Sequence, residues 1–227
     1  MKSRILGFLI AVTFLSIVSS TPATASTVSL RPVADTYIYR DLPEQNYGSS
    51  TELMVGRLTE LGWLETRIRF SGIPSGALIQ SATLLLYIQA GTGIQTVSVQ
   101  CASSSWEENT LTWGTPNSQA RWGTPNSPFM ARSQTGFVAL DVTAHVQAWA
   151  DGSRPNYGFH LSSADAPIGI TNTFASRETV MAPKLTITYT VQEADLMLRN
   201  LSVSPSRVTW ARREGLSPCP DSRSSSR

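Results

Sequence analysis

The sequence consists largely of short apolar stretches that are separated by clusters of glycine, proline, asparagine and serine. From Val28 onward no long helical period interrupts this pattern. In the stretch 184–190, Leu185, Ile187 and Tyr189 alternate with threonines, which gives a strand one buried face and one exposed face. Many short strands with frequent turns, and no strand–helix–strand rhythm, predict an all-β fold, an antiparallel β-sandwich of jelly-roll type.

Two neighbouring stretches predict a hairpin, and a third predicts one short helix. Residues 81–89 are almost continuously apolar, and after a glycine-containing turn the apolar residues of 97–101 alternate with polar ones. Farther along, apolar residues recur at helical spacing: Val142, Val146 and Trp149. Asp141 or Thr143 can cap this helix, residues 151–152 end it, and His145 is expected to be packed or partly exposed rather than to bind a metal.

The N-terminus has the pattern of a secretory signal. Lys2 and Arg4 precede an uncharged run at 5–18, and small residues lead to Ala25. We therefore expect cleavage after residue 25, a secreted or cell-surface protein, and no membrane insertion after cleavage; an uncleaved anchor is the alternative. Lys2 and Arg4 account for the formal charge of +2, so the mature chain is neutral and nothing in it indicates a nucleic-acid partner.

A strand predicted at 65–70 carries two arginines, Arg67 and Arg69, on the face opposite its apolar residues. Guanidinium groups are always charged and match the geometry of carboxylates, so this pair is suited to bind an acidic polymer. The alternative is that both arginines form ion pairs with carboxylates of the protein itself, such as Glu65 or Glu178.

The hexapeptide WGTPNS occurs twice, at 113–118 and again at 122–127. A copy this short is too small to be a structural unit, so a local duplication within a loop is expected. The second copy adds Trp122, whose ring is suited to stack on a pyranose. Packing in the core is the alternative role for that tryptophan.

A series of motifs, in a specific order, connects the chain with a known family. They are Ala34-Asp-Thr-Tyr37, Asn46-Tyr-Gly-Ser-Ser50, Arg67-Ile-Arg-Phe70, Ile79 to Tyr87, Ser105 to Trp113, Asp141-Val-Thr143, Asn156-Tyr-Gly158, Phe174 to Glu178 and Pro183 to Tyr189. In this order they resemble the DNRLRE domain family, also treated as carbohydrate-binding module family 96 and related to the repeats of archaeal disaggregatases. The likeness covers about Thr27 to Val191.

The resemblance implies a secreted β-sandwich that serves as an accessory module on polysaccharide-active or cell-surface proteins, with alginate as the associated substrate class. It also implies a domain organisation: a signal peptide at 1–25, the sandwich at 26–191, and a linker with an incomplete or disordered tail at 192–227. The beginning of that tail looks like the first strand of a CARDB-type adhesion domain, so further domains of a surface protein are expected partners.

The predicted function is therefore non-catalytic binding of an acidic, uronate-containing polysaccharide. The candidate ligand-binding side chains are Arg67, Arg69, Arg177, Lys184 and Trp122. Each arginine is suited to hold a uronate carboxylate through charge-assisted hydrogen bonds. For Arg177 the alternative is an ion pair with Glu178 or Glu65 that connects strands.

Two other functions remain open at this stage. One is a structural or adhesive sandwich that spaces other domains on a cell surface. The other is a lyase or hydrolase, for which the candidate side chains are Glu107, Glu108, Tyr157 and His160. Glu107 and Glu108 are consecutive and point to opposite faces of a strand, and His160 is expected to face solvent without a partner, so no acid–base pair is evident.

A structural calcium ion is a further expectation. Asp35, Asn46 and the carbonyl groups around Gly48 supply the oxygen ligands that calcium prefers. The alternative is that Asp35 and Asn46 form hydrogen bonds within turns.

Overall fold

The computed structural model describes residues 24–191, which contain twelve strands and one short helix. The elements are β1 (Ala25–Leu30), β2 (Pro32–Tyr39), β3 (Glu52–Arg57), β4 (Trp63–Phe70), β5 (Leu78–Gly91), β6 (Gln95–Ala102), β7 (Arg121–Asn126), β8 (Phe129–Ala131), β9 (Gly136–Asp141), α1 (Thr143–Ala150), β10 (Phe159–Ser162), β11 (Ile170–Ala175) and β12 (Lys184–Thr190). The predictions for the N-terminal signal and for the tail at 192–227 concern residues outside this range.

The strands are joined by antiparallel pairing in the order β1-β12-β5-β11-β3-β4-β10-β6-β7, with β9 beside β5, β2 beside β4 and β8 beside β6. The path folds over so that apolar side chains from β5 and β12 share one core with those from β4, β6 and β10. The prediction of an all-β sandwich with one short helix is confirmed. Alternation of apolar and polar residues gives each strand the single apolar face that such packing requires.

The predicted hairpin is wrong, because β5 and β6 do not pair with each other. β5 pairs with β9, β11 and β12, whereas β6 pairs with β7, β8 and β10. The turn between them is bonded to β11, where the Thr92 N–H donates to the Thr171 carbonyl at 3.0 Å. The two apolar runs thus contribute to one core from different parts of the folded sheet.

The helix α1 begins one residue from the predicted caps. Val142 is the N-cap, and the carboxylate of Asp141 accepts the N–H of Thr143 at 2.9 Å instead of capping the helix itself. Gly152, at a φ of +74°, ends the helix at the predicted place. His145 is packed and buried, with Nε2 2.9 Å from the Val99 carbonyl.

A long segment at 103–120, here called the covering loop, lies over the outer face of β2 and β4. It forms a second small core there, which consists of Ala34, Ile38, Trp106 and Leu111 with Trp113 packed against it. Asn46 holds the covering loop in place, since its Nδ2 donates to the carbonyls of Glu108 at 2.8 Å and Leu111 at 2.7 Å. The outer face of β4, which the sequence predicts to be exposed, is therefore enclosed.

The two copies of WGTPNS have different conformations. The first copy, at 113–118, forms successive turns of the covering loop, and Asn117 has a φ of +61°. The second copy supplies most of the strand β7, which pairs with β6. The expectation that the duplication only lengthens a loop is wrong, because the second copy meets an unpaired strand edge and the first does not.

Candidate functional site

Arg67 lies inside the protein and is not available to a ligand. Its side chain is 1% exposed, and its guanidinium donates to the carbonyl of Ala120 at 3.0 Å and to that of Ser118. Burial lowers the pKa of Arg67 to about 10, so the group stays charged at neutral pH. The prediction of an accessible Arg67–Arg69 pair is wrong because the covering loop encloses Arg67.

Arg69 is partly exposed but is occupied by the covering loop. Its Nη1 donates to the Trp106 carbonyl at 2.9 Å, and its guanidinium carbon lies 5.1 Å from the centre of the Trp106 ring. Its Nη2 is 3.8 Å from the carboxylate of Glu107. Groups of the protein itself therefore balance the charge of Arg69 and cover the planar face of its guanidinium.

Arg177 is similarly engaged by carboxylates of the protein. Its Nε lies 3.1 Å from Glu178 and its Nη1 lies 3.4 Å from Glu108, so the alternative of an ion pair with Glu178 is confirmed. Two guanidinium groups, those of Arg69 and Arg177, thus lie among four carboxyl groups. These are Asp35, Glu107, Glu108 and Glu178. This surface has an excess of negative charge and is poorly suited to a polyuronate.

Asp35 lies at the centre of this acidic region. It is 1% exposed, and its Oδ2 accepts the backbone N–H of Arg177 at 2.8 Å. Ligand oxygens of Asp35, Glu108 and Glu178 lie within 4.8 Å of one another. Burial raises the pKa of Asp35 to about 7, and the two neighbouring glutamates add to this effect. Three clustered carboxyl groups are a donor set suited to a hard cation.

Asn46 has the role of a turn residue. Its Oδ1 accepts the N–H of Gly48 at 3.0 Å, while its Nδ2 donates to two carbonyls of the covering loop. The alternative of turn hydrogen bonds is therefore confirmed for Asn46. The acidic cluster forms instead from Asp35 with Glu108 and Glu178, two residues that the sequence prediction of calcium ligands did not include.

Lys184 and Trp122 lie apart from the arginines. Lys184 is exposed on a shallow groove of about 180 Å³ whose other lining residues include Phe137 and Met181. Trp122 is 40% exposed, and the guanidinium carbon of Arg154 lies 5.0 Å from the centre of its ring. The structure does not bring the five predicted ligand-binding side chains together into one site.

A different set of residues forms a cleft between the covering loop and the ends of β4 and β10. The cleft has a volume of about 320 Å³. Its principal lining residues are Trp63, Glu65, Trp113, Gln119, Arg121 and Ser162. Trp63 and Trp113 are half-buried, which leaves part of each ring accessible. Tryptophan rings together with hydroxyl, amide and charged groups are suited to the apolar faces and polar edges of a sugar.

The base of the cleft is held by a buried contact between Glu65 and His160. Nε2 of His160 lies 3.1 Å from Oε2 of Glu65, and His160 is fully buried, so the prediction of a solvent-facing histidine is wrong. Burial lowers the pKa of His160 to about 4, and the neutral form therefore predominates at neutral pH. The pKa of Glu65 is lowered, because its contacts with His160, Arg121 and Arg67 outweigh its own burial.

Two arginines supply positive charge near the cleft. Arg121 is exposed; its Nε donates to Gln100 at 3.1 Å and its Nη1 donates to the Gln119 carbonyl at 3.0 Å. Arg57 lies against Trp63, with its guanidinium carbon 4.8 Å from the ring centre. A guanidinium has five N–H donors, and these two hydrogen bonds use only two of them, so Arg121 keeps hydrogen-bonding capacity although Glu65 lies 4.0 Å from its Nη1.

The model of carbohydrate-binding module family 96 matches residues 26–189 of the chain. The chain belongs to this family. The match covers nearly all of the residues that form the sandwich, including every residue of the cleft. A family 96 module binds carbohydrate, so the coarse prediction of a carbohydrate-binding module is confirmed, and polysaccharide is the expected class of partner. No curated protein matches the chain.

Most of the cleft in this family 96 module could not be found from the sequence. Trp63 and Arg121 belong to no recognisable motif, and they approach each other only because β4 and the end of the covering loop are adjacent in space. The one available signal is the tryptophan of the first WGTPNS copy, Trp113, which lines the cleft, whereas the sequence prediction named Trp122 of the second copy. Within residues 24–191, no helix is long and apolar enough to cross a membrane.

Proposed function

We propose that this module binds a polysaccharide in the cleft between Trp63 and Trp113. The observation that carries the proposal is the pair of half-buried tryptophans beside polar side chains, of which Arg121 is exposed, in a cleft of about 320 Å³. A pyranose can place an apolar face on an indole ring and direct its hydroxyl groups to Gln119 and Ser162. The cleft is small, which suits recognition of a short stretch of a longer chain.

We further propose that the polysaccharide is acidic and contains uronates such as those of alginate. The support comes from Arg121, which is exposed at the cleft and keeps hydrogen-bonding capacity, and from the adjacent Arg57. In this proposal Arg121 binds the uronate carboxylate, the role that the sequence predicted for Arg67 and Arg69. A charge-assisted hydrogen bond to a uronate carboxylate contributes about 1.5–3 kcal/mol.

The same cleft supports a non-catalytic role. Glu65 is its one carboxylate among the described residues, and Glu65 is already in contact with His160 and Arg121. Glycoside hydrolysis requires two carboxyl groups across the scissile bond. Two of the catalytic candidates lie in different environments: Glu107 is 75% exposed beside Arg69, whereas His160 is fully buried.

In this proposal the module is secreted and acts as an accessory domain of a polysaccharide-active or cell-surface protein. The sequence pattern at 1–25 and the family membership support it. Modest affinity at a single cleft suits such a role, because several modules on one surface raise the overall binding strength.

Calorimetric titration of the purified protein tests the binding proposal. The ligands are oligo-alginate, oligogalacturonate and a neutral glucan, and the variants are Arg121→Ala and the matched control Lys184→Ala, which removes an exposed charge from a distant groove. We expect selective heat with a uronate, a loss of affinity of about tenfold or more for Arg121→Ala, and no change for Lys184→Ala. Absence of heat with all three ligands would instead favour the structural or adhesive spacer.

A further inference from the structure

Three carboxyl groups from distant parts of the sequence meet beside β2. Asp35 lies in β2, Glu108 lies in the covering loop, and Glu178 lies in the turn after β11. One oxygen of each lies within 4.8 Å of the other two. Because calcium binds oxygen at about 2.3–2.6 Å, two ligands of one ion are separated by at most about 5 Å. The spacing of the three carboxyl groups therefore fits a single ion.

Asp35 provides a second, independent observation. Its side chain is 1% exposed, and its Oδ1 is enclosed without a hydrogen-bond partner among residues 24–191. The other oxygen, Oδ2, is already used by the Arg177 backbone. Almost all buried polar atoms in folded proteins have a partner, because leaving one unsatisfied carries the full cost of desolvation. A buried carboxylate oxygen without a hydrogen-bond partner, next to two more carboxylates, is suited to coordinate a cation.

The side chain of Arg177 is not a direct cationic partner of Asp35. It contacts Glu178 at 3.1 Å and Glu108 at 3.4 Å, whereas it meets Asp35 only through its backbone N–H. Three ionised carboxyl groups and one guanidinium leave two negative charges in a region where one member is fully buried. Like charges this close disfavour ionisation unless a cation compensates them, and one divalent ion would neutralise the set.

We propose that Asp35, Glu108 and Glu178 bind a calcium ion that fastens the covering loop to the sandwich. The donors are oxygens only, with no histidine or cysteine in the cluster, which favours a hard cation over zinc or copper. The ion joins β2, the covering loop and the turn at 176–179. The site shares no residue with the sugar-binding cleft, so it goes beyond the proposed function and does not depend on it.

The test measures calcium binding and thermal stability in the absence of any glycan. Protein stripped with a chelator is titrated with calcium chloride by calorimetry, and its melting temperature is recorded with calcium and with chelator. We expect one ion per chain and a higher melting temperature with calcium, since a ligand of the folded state alone stabilises that state. Magnesium requires a stricter octahedral arrangement and is expected to bind more weakly.

The variants Asp35→Asn and Glu178→Gln remove one ligand charge each with little change in shape, and Glu107→Gln is the matched control. Glu107 is a neighbouring, 75% exposed glutamate that contacts Arg69 and lies outside the cluster. We expect Asp35→Asn and Glu178→Gln to lose at least about tenfold in calcium affinity, and Glu107→Gln to lose none.

Glu178→Gln keeps the test decisive if Asp35→Asn does not fold, because Glu178 is partly exposed. The proposal is overturned if the wild-type protein gives no heat and the same melting temperature in calcium and in chelator. It is equally overturned if both ligand variants bind calcium as tightly as Glu107→Gln, or if magnesium binds more tightly than calcium.

Discussion

The guanidinium of Arg67, in β4, donates a hydrogen bond of 3.0 Å to the backbone carbonyl of Ala120 at the end of the covering loop. Arg67 is fully buried and also donates to Ser118, so it ties the middle of the sandwich to the segment that forms one wall of the cleft. A charged residue that resembles a ligand-binding group in the sequence is thus a structural residue here. Its removal should affect stability before it affects binding.

We predict that Arg67→Met destabilises the module. The substitution leaves the Ser118 carbonyl without its donor, whereas the Ala120 carbonyl keeps the N–H of Ser103 at 3.1 Å. An unsatisfied buried carbonyl costs about 1–3 kcal/mol. Urea unfolding measures the free energy of unfolding. The control is Arg132→Met, at an exposed arginine, which should change it little. Equal stability of the two variants would contradict the structural role of Arg67.

The buried His160 predicts a pH dependence of stability. Burial lowers the pKa of His160 from 6.5 to about 4, although the contact with Glu65 opposes this; Arg67 and Arg121 also face the ring. The unfolded chain takes up a proton on His160 below about 6.5, whereas the folded protein does so only near pH 4. The free energy of unfolding should therefore fall as the pH falls from about 6.5 to about 4, by at most about 3 kcal/mol from this group.

The variant His160→Gln isolates that effect. We expect its stability curve to be flatter than the wild-type curve over the same pH range, because glutamine does not titrate. Urea unfolding at several pH values between 4 and 8 measures the difference, in which the contributions of the other titrating groups largely cancel. Parallel curves for the two proteins would show that His160 takes up its proton equally in both states.

Gly48 lies directly against the backbone of Glu108 in the covering loop. A Cβ at this position would lie 2.8 Å from the carbonyl carbon of Glu108, so Gly48→Ala must push the loop outward. We predict a loss of about 1–3 kcal/mol in the free energy of unfolding, as is typical of overpacking. Gly123→Ala is the control, since its Cβ would meet no atom within 4 Å. An unchanged free energy of unfolding for Gly48→Ala would mean that the loop is held less tightly than its contacts indicate.

The two copies of WGTPNS predict opposite results for their tryptophans. Trp113 lines the cleft, whereas Trp122 lies on the edge strand β7 against Arg154. Under the proposed function, Trp113→Ala should weaken binding of a uronate oligosaccharide and Trp122→Ala should leave it unchanged. Calorimetry on two variants that are both folded measures the difference. Loss of binding in Trp122→Ala alone would move the site to the surface beside β7.

Alternation of side chains along strands was enough to predict the fold class and the orientation of most strands. It correctly placed Arg67 opposite Ile68, but it could not show that a loop fifty residues later in the chain covers that face. The same limit explains the error for His160, which alternates correctly and is nevertheless buried against Glu65. Local pattern determines which side chains share a face, and long-range packing determines whether that face meets water.

The candidate sites illustrate the same limit. The sequence predicts Asp35 as an oxygen ligand from its residue type, but Glu108 and Glu178 join it only through the tertiary structure. The cleft depends on contacts between β4 and a segment that begins some fifty residues after Trp63, and no spacing in the sequence encodes them. Charge alone is also a poor predictor of a ligand-binding arginine here, because Arg69 and Arg177 are balanced by glutamates of the protein.

The second WGTPNS copy has a consequence for how the molecule avoids self-association. β7 is the last strand in the sheet order, and it occupies an edge of β6 that would otherwise offer free N–H and carbonyl groups to another chain. Pro125 lies within β7 and has no N–H to donate, which makes β7 itself a poor template for a further strand. The second copy of the hexapeptide thus disfavours strand addition at this edge of the sandwich.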